Sequence, residues 1–152
     1  MKTRMLLLDY LPSTQLAEQH TLIYVGEDCI SSLLQPAIET ISVNLGTVEG
    51  QARLMDWLRQ NEPPDCVKCS LDSAAYDGAA SDFLQEKVVG ITRILESTLM
   101  LNTSIHWEFV IPEGADIWSK ACEAYFKTLR EGLVTALPQA RVTFFTEPAQ
   151  SR

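Results

Sequence analysis

The chain has 152 residues, of which 46% are hydrophobic and 21% charged. That balance suits one packed domain and excludes a disordered chain. A formal net charge of −8 with no dense Lys/Arg cluster argues against a nucleic-acid partner, and apolar runs as short as Met5 to Leu8 argue against a membrane span.

Lys2 and Arg4 are followed by no signal-peptide core, so the expected location is the cytoplasm. Cys29, Cys66, Cys69 and Cys122 are then expected to be reduced thiols. In chain order, Met5–Tyr10 reads as a short strand or arm, ended by Pro12 and the polar stretch Ser13–Gln19. Thr21–Val25 is a continuous apolar, β-branched run ending at Gly26, the pattern of a strand buried on both faces. A short helix is predicted from about Asp28 to Gln35, stopping near Pro36. Thr40–Leu45 alternates as a second core strand, and Thr47 can cap a helix in which Leu54, Trp57 and Leu58 recur at helical spacing. After Pro63-Pro64 come a third strand, Cys66–Leu71, and a small-residue loop, Asp72–Ala80. A long helix from Ser81 to about Leu101 precedes a strand at Ile105–Ile111, a second long helix from Asp116 to Leu137, and a last strand at Arg141–Phe145.

Strands alternating with helices predict an α/β fold: a single-domain three-layer α/β/α sandwich with a mostly parallel, Rossmann-like sheet. The expected organisation is an N-terminal arm over residues 1–19, the domain over 20–148 and a tail over 149–152.

Taken in order, the segments from Thr40 to Pro148 resemble the short-chain dehydrogenase/reductase family. Val43-Asn44-Leu45 resembles that family's strand ending in an Asp, and Pro64-Asp65-Cys66-Val67 its Asp-x-Leu-Val strand entry. Lys87-Val88-Val89-Gly90 lies at the family's Asn-x-x-Gly step, Asp116 to Lys120 at its Tyr-x-x-x-Lys segment, and Arg141 through Pro148 at its final strand. By this resemblance the catalytic Tyr falls at Asp116 and the structural Asn at Lys87. The short loop at Pro112–Ala115 leaves no place for the catalytic Ser, and only Lys120 of the four is kept. The glycine-rich phosphate turn, sought after Thr21–Val25, reads Gly26-Glu27-Asp28-Cys29: one glycine, and two carboxylates where a diphosphate would sit. A strand–helix unit is expected to be missing between Val25 and Thr40. The expectation is therefore a non-catalytic relative with no cofactor, a pseudoenzyme acting as an oligomerisation or partner-binding subunit.

Cys66-x-x-Cys69 is the one local motif with redox or metal chemistry attached. It lies within a predicted strand, where its side chains project to opposite faces. With no second Cys pair or His pair, both read as small buried hydrophobes and no metal is expected. Asp116 and Lys120 form an i, i+4 pair at a helix start, ordinary surface electrostatics unless a ligand joins them. Glu27 and Asp28 read as helix caps.

Both long helices carry apolar arcs wider than one buried face needs. In the resembled family the equivalent helices pair with a neighbouring subunit as a four-helix bundle. The candidate interface is therefore Leu84, Val88, Ile91, Leu95, Trp118, Cys122, Tyr125 and Leu129, in a homodimer or a heteromer with a reductase-like protein. The alternative reading is a small-molecule sensor or enzyme using the carboxyl ends of the strands, with Asp72, Tyr76, Asp116 and Lys120 as its polar groups. A third reading, a degenerate signalling receiver, rests on Asp9, Asp72 and Lys120.

Overall fold

Four consecutive apolar residues, Met5 to Leu8, are all buried, which requires a strand covered on both faces. In the computed structural model, which describes residues 2–26, 38–76 and 78–150, they lie in β1 (Thr3–Leu8). The other strands are β2 (His20–Gly26), β3 (Glu39–Ser42), β4 (Cys66–Ser70), β5 (His106–Pro112) and β6 (Arg141–Glu147). Their spatial order is β3-β2-β1-β4-β5-β6, and every neighbouring pair is parallel. This is the doubly wound order, in which the direction of winding reverses between β1 and β4. It differs from the β2-β1-β3-β4-β5 order of a receiver fold.

The expectation that residues 1–19 form an arm is corrected by this order. β1 is a central strand, paired with β2 on one side and β4 on the other. Thr21–Val25 is thus the second strand, and no strand–helix unit has to be missing before Thr40. The helix expected at Asp28–Gln35 lies outside the described residues. Gln150 is also tied inward, exchanging two hydrogen bonds with the Leu11 backbone.

Helix α1 (Thr14–Gln19) is capped by Ser13, whose hydroxyl accepts from Leu16 N–H at 3.2 Å. The polar stretch Ser13–Gln19, whose composition reads as a break between strands, thus holds a helix. Helix α2 (Val48–Gln60) begins where expected, with Thr47 accepting from Gly50 N–H at 3.0 Å. The next rod runs continuously over 80–101: α3 (Ala80–Glu86), a π-helical turn (Lys87–Ile91) and α4 (Thr92–Leu101). Helix α5 (Ile117–Ala136) is capped by Asp116. None of the helices among the described residues is long and apolar enough to cross a membrane.

Strand alternation divides the core. Leu6, Leu8, Val67, Cys69, Trp107 and Phe109 pack against α2, α4 and α5, while Met5, Leu7, Tyr24 and Val110 pack near α1. Phe109 stacks on Phe126 of α5 at 4.6 Å and on Phe144 of β6 at 5.2 Å, contacts that anchor α5 to the sheet. These helices spend their apolar arcs largely inside the chain. Ile91, Leu95 and Cys122 are core residues, and Leu84, Trp118 and Leu129 pack against that core. Of the expected interface set, Ile91, Leu95 and Cys122 are thus buried within the chain, and Leu84, Trp118 and Leu129 are half-buried. Val88 is half-buried, and Tyr125 keeps 37% of its surface exposed.

Candidate functional site

The winding reversal falls at the carboxyl ends of β1 and β4, the place where open α/β sheets bind ligands. The first residue past β1, Asp9, has a φ of 55°, a left-handed conformation that Asp tolerates better than most residues. Its N–H donates to Val25 O at 3.0 Å. Its Oδ2 meets the Lys87 ammonium at 2.6 Å. Lys87 opens the π-helical turn, a feature that recurs at functional sites. The Lys87 side chain is only 11% exposed and that of Asp9 36%. Burial, the largest single influence, acts to lower the Lys87 pKa, but the Asp9 charge and hydrogen bond together with the neighbouring thiols hold the group above its ordinary value. The result is a charged donor fixed at the reversal point.

Two thiols share this neighbourhood. Burial pushes Cys69 up to about 12 and Cys122 up to about 11, although the Lys87 charge pulls both the other way. They stay protonated and are not nucleophiles at neutral pH. Gly26 closes the far side. A Cβ there would fall 2.6 Å from the Tyr24 hydroxyl and 2.9 Å from Asp9 Oδ1, so this glycine serves close packing of the chain itself.

The polar groups expected at the strand ends are placed as follows. Asp72 caps a short turn (Ser73–Ala75), accepting from Ala74 N–H at 3.0 Å. Tyr76 leans edge-on against Phe83, 5.6 Å between ring centres. Asp116 accepts from Ser119 N–H at 2.9 Å, from Trp118 N–H at 3.1 Å and from the Ser73 hydroxyl at 2.5 Å. Those bonds, the Ser119 backbone first and the Ser73 hydroxyl next, lower its pKa, so it remains a carboxylate. Ser119 in turn accepts from Ser73 N–H at 2.9 Å. Lys120 is exposed and meets Asp116 through its backbone N–H, at 3.0 Å from Asp116 O. The structure thus brings Asp116 to Ser73 and Ser119. Sequence reasoning missed Ser73, Ser119 and the Asp9–Lys87 pair. A Lys amid the apolar spacing of Phe83, Leu84 and Val88 was the available signal.

The fold implies a dinucleotide, whose pyrophosphate rests on the turn after the first strand. With β1 central, that turn is Asp9-Tyr10-Leu11-Pro12-Ser13 and not the one at Gly26; Glu27, Asp28 and Cys29 lie outside the described residues. It has no glycine, and Pro12 has no N–H to offer. The Tyr10 hydroxyl donates to Glu147 at 2.5 Å, the Leu11 N–H donates to Gln150 Oε1 at 2.8 Å, and the Asp9 carboxylate stands at the turn's first position. The described residues do not fit a pyrophosphate at this turn.

No protein-family model and no curated protein matches the sequence. Solved structures do match its fold. YwfH, an NADPH-dependent reductase involved in bacilysin biosynthesis, superposes with a TM-score of 0.68 at 9% identity, over 100% of this chain and 80% of that one. The bulky-bulky ketone specific alcohol dehydrogenase from Comamonas testosteroni gives 0.67 at 13% identity, covering 99% and 77%. A short chain dehydrogenase family protein from Francisella tularensis subsp. tularensis SCHU S4 gives 0.64 at 11% identity, covering 99% and 70%. The chain has the fold of short-chain dehydrogenase/reductase structures along nearly its whole length. The expectation that it is no enzyme is corrected by these neighbours, which include a dehydrogenase and a reductase.

Proposed function

We propose that this chain is an enzyme acting on a small molecule that carries a carbonyl or hydroxyl group, bound at the carboxyl ends of β1 and β4. The observation that carries this reading is the Asp9–Lys87 pair at the winding reversal. A largely buried ammonium is costly to maintain, and Asp9 both offsets that cost and orients the group. In a site of low dielectric such a donor stabilises negative charge developing on a substrate oxygen, the oxyanion or enolate of carbonyl chemistry. Ser73 and Asp116 supply a polar rim beyond the end of β4. The ketone-specific dehydrogenase among the structural neighbours supports the substrate class. No hydride step is assigned, because the β1 turn does not fit the dinucleotide.

The test is a melting-temperature screen against small ketones, oxo acids and alcohols, with NAD(H) and NADP(H) in parallel. A binding carbonyl compound is expected to stabilise the wild-type chain by the usual mass-action increment, about 2.7 kcal/mol at a hundredfold excess over Kd. The Lys87→Met chain is expected to lose that stabilisation. A shift that survives in Lys87→Met refutes the role of the pair.

A second reading is pairing with another copy or with a reductase-like protein, through the outer surface of the 80–101 rod and α5. It is supported by the exposure of Val89 and Tyr125 there.

A further inference from the structure

The parallel register of β4 with β5 sets Cys66 beside His106 and Lys68 beside Glu108. Side chains two residues apart on a strand share a face, so Cys66, His106 and Glu108 form one cluster on the polar side of this half of the sheet. One ligand atom from each lies within 4.8 Å of the others. A closed tetrahedral site needs about 3.5 Å, a difference that side-chain rotation covers. All three are half-buried. The cluster lies toward the amino ends of β4 and β5, away from Lys87.

We propose that Cys66, His106 and Glu108 form a binding site for a zinc-class divalent cation. The donor set of thiolate sulfur, imidazole nitrogen and carboxylate oxygen is the mixture that borderline-soft zinc accepts, and hard magnesium or calcium does not use thiolates. Three protein ligands leave a fourth position for water or a ligand. Supporting contacts are in place. His106 Nε2 lies 2.9 Å from the Thr143 hydroxyl, which orients the ring. The Cys66 thiol donates to Glu108 Oε2 at 2.9 Å, so sulfur and carboxylate already converge. Lys68 and Arg141 also face this side, at the positions paired with Glu108 and His106. Lys68, however, is drawn off by Glu147 at 3.4 Å and lies over the Tyr10 ring. The thiol that now donates to Glu108 gives up its proton in exchange for the cation. Binding forms the sulfur–metal bond, breaks the S–H bond and releases one proton to solvent. Thiolate and carboxylate with a neutral imidazole carry two negative charges, which a divalent ion neutralises.

Cobalt(II) is the probe, because thiolate ligation gives a charge-transfer band absent from oxygen or nitrogen sites. Titration of the reduced, full chain is expected to saturate at one equivalent with that band and with release of one proton. The Cys66→Ser chain is expected to lose the band, and zinc is expected to displace cobalt from the wild type. His106→Ala, checked for native circular dichroism, is expected to weaken binding at least tenfold, and Thr143→Ala to weaken it about tenfold. No thiolate band in the wild type, or a band of equal strength in folded Cys66→Ser, overturns the site.

Discussion

At the scale of single residues, three titratable groups around the winding reversal share one direction of shift, which fixes a pH dependence. Cys69, Cys122 and Lys87 all hold their protons more tightly in the folded chain than in the unfolded one. A raised folded pKa contributes stability that is fully present below the unfolded pKa and is lost as pH rises toward the folded one. For the thiols the loss begins near the ordinary thiol value, about 8.5, and runs toward about 11 for Cys122 and about 12 for Cys69. Lys87 joins only above about 10.4, the ordinary lysine value. Between pH 9 and 10 the chain is expected to lose on the order of 1.4 kcal/mol per pH unit for each buried thiol. Urea denaturation across that range measures it. Cys69→Ala is expected to be less stable at neutral pH but to show a slope shallower by one proton. An unchanged slope refutes the burial of that thiol. Little of this was legible in the sequence. Asp9 and Lys87 stand 78 positions apart, and only the order of strands brings their elements together. Asp116 was legible as a helix start, because an acceptor at that position serves the free N–H groups whatever the surrounding fold. Its bond to Ser73 depends on β4 and β5 being neighbours.

At the scale of elements, two helices approach the turn at Val43–Leu45 so closely that backbone meets backbone. A Cβ on Gly50 would fall 1.9 Å from Asn44 O, and one on Gly90 would fall 2.1 Å from Leu45 O. The same Leu45 carbonyl accepts from Gln51 Nε2 at 2.9 Å, and Gln51 Oε1 accepts from Arg93 at 3.0 Å. The glycine in Lys87-Val88-Val89-Gly90 is thus required by contact between the π-helical turn and this loop. Gly90→Ala is expected to cost about 3 kcal/mol, the upper end of overpacking, because the obstacle is a carbonyl and not a movable side chain. Gly132→Ala in α5 is the control. Nothing lies within 4 Å of its Cβ, and it is expected to gain about 0.5–1 kcal/mol from helix propensity. Chemical denaturation of the two variants decides the matter, and equal effects would exclude the close approach. Elements themselves were largely readable, since α2, β4, the 80–101 rod, β5, α5 and β6 lie close to where periodicity puts them. The π-helical turn was not, because one extra residue in a helical turn leaves the apolar spacing nearly unchanged. Nor was the centrality of β1. Apolar content shows that a strand is buried, while its place in the sheet is a property of the assembled topology.

At the scale of the whole molecule, the helices on one face decide whether the chain stands alone. Most of their apolar residues are consumed by the core, yet Val89 is 42% exposed on the 80–101 rod, and Ile117 is 73% and Tyr125 37% exposed on α5. The Tyr125 hydroxyl is held by the Thr92 hydroxyl at 3.2 Å, which links the two helices and fixes the ring on their shared outer surface. Magnitudes set how strong an association this can drive. Fully burying three such side chains yields at most about 1.5–3 kcal/mol each, whereas association costs roughly 4–15 kcal/mol before any contact is counted. A stable interface also needs about 1,200 Å² or more in total, so the polar neighbours of these three must contribute. The expected result is a weak, concentration-dependent dimer, with a Kd on the order of micromolar. Light scattering coupled to size exclusion over a hundredfold range of loading concentration reads it directly. Val89→Glu is expected to abolish the dimer while leaving the melting temperature within about 2 °C, since a surface substitution changes stability by about 0.5 kcal/mol or less. A wild-type chain that remains monomeric at the highest concentration removes self-association and leaves a different protein as the only partner that surface could serve.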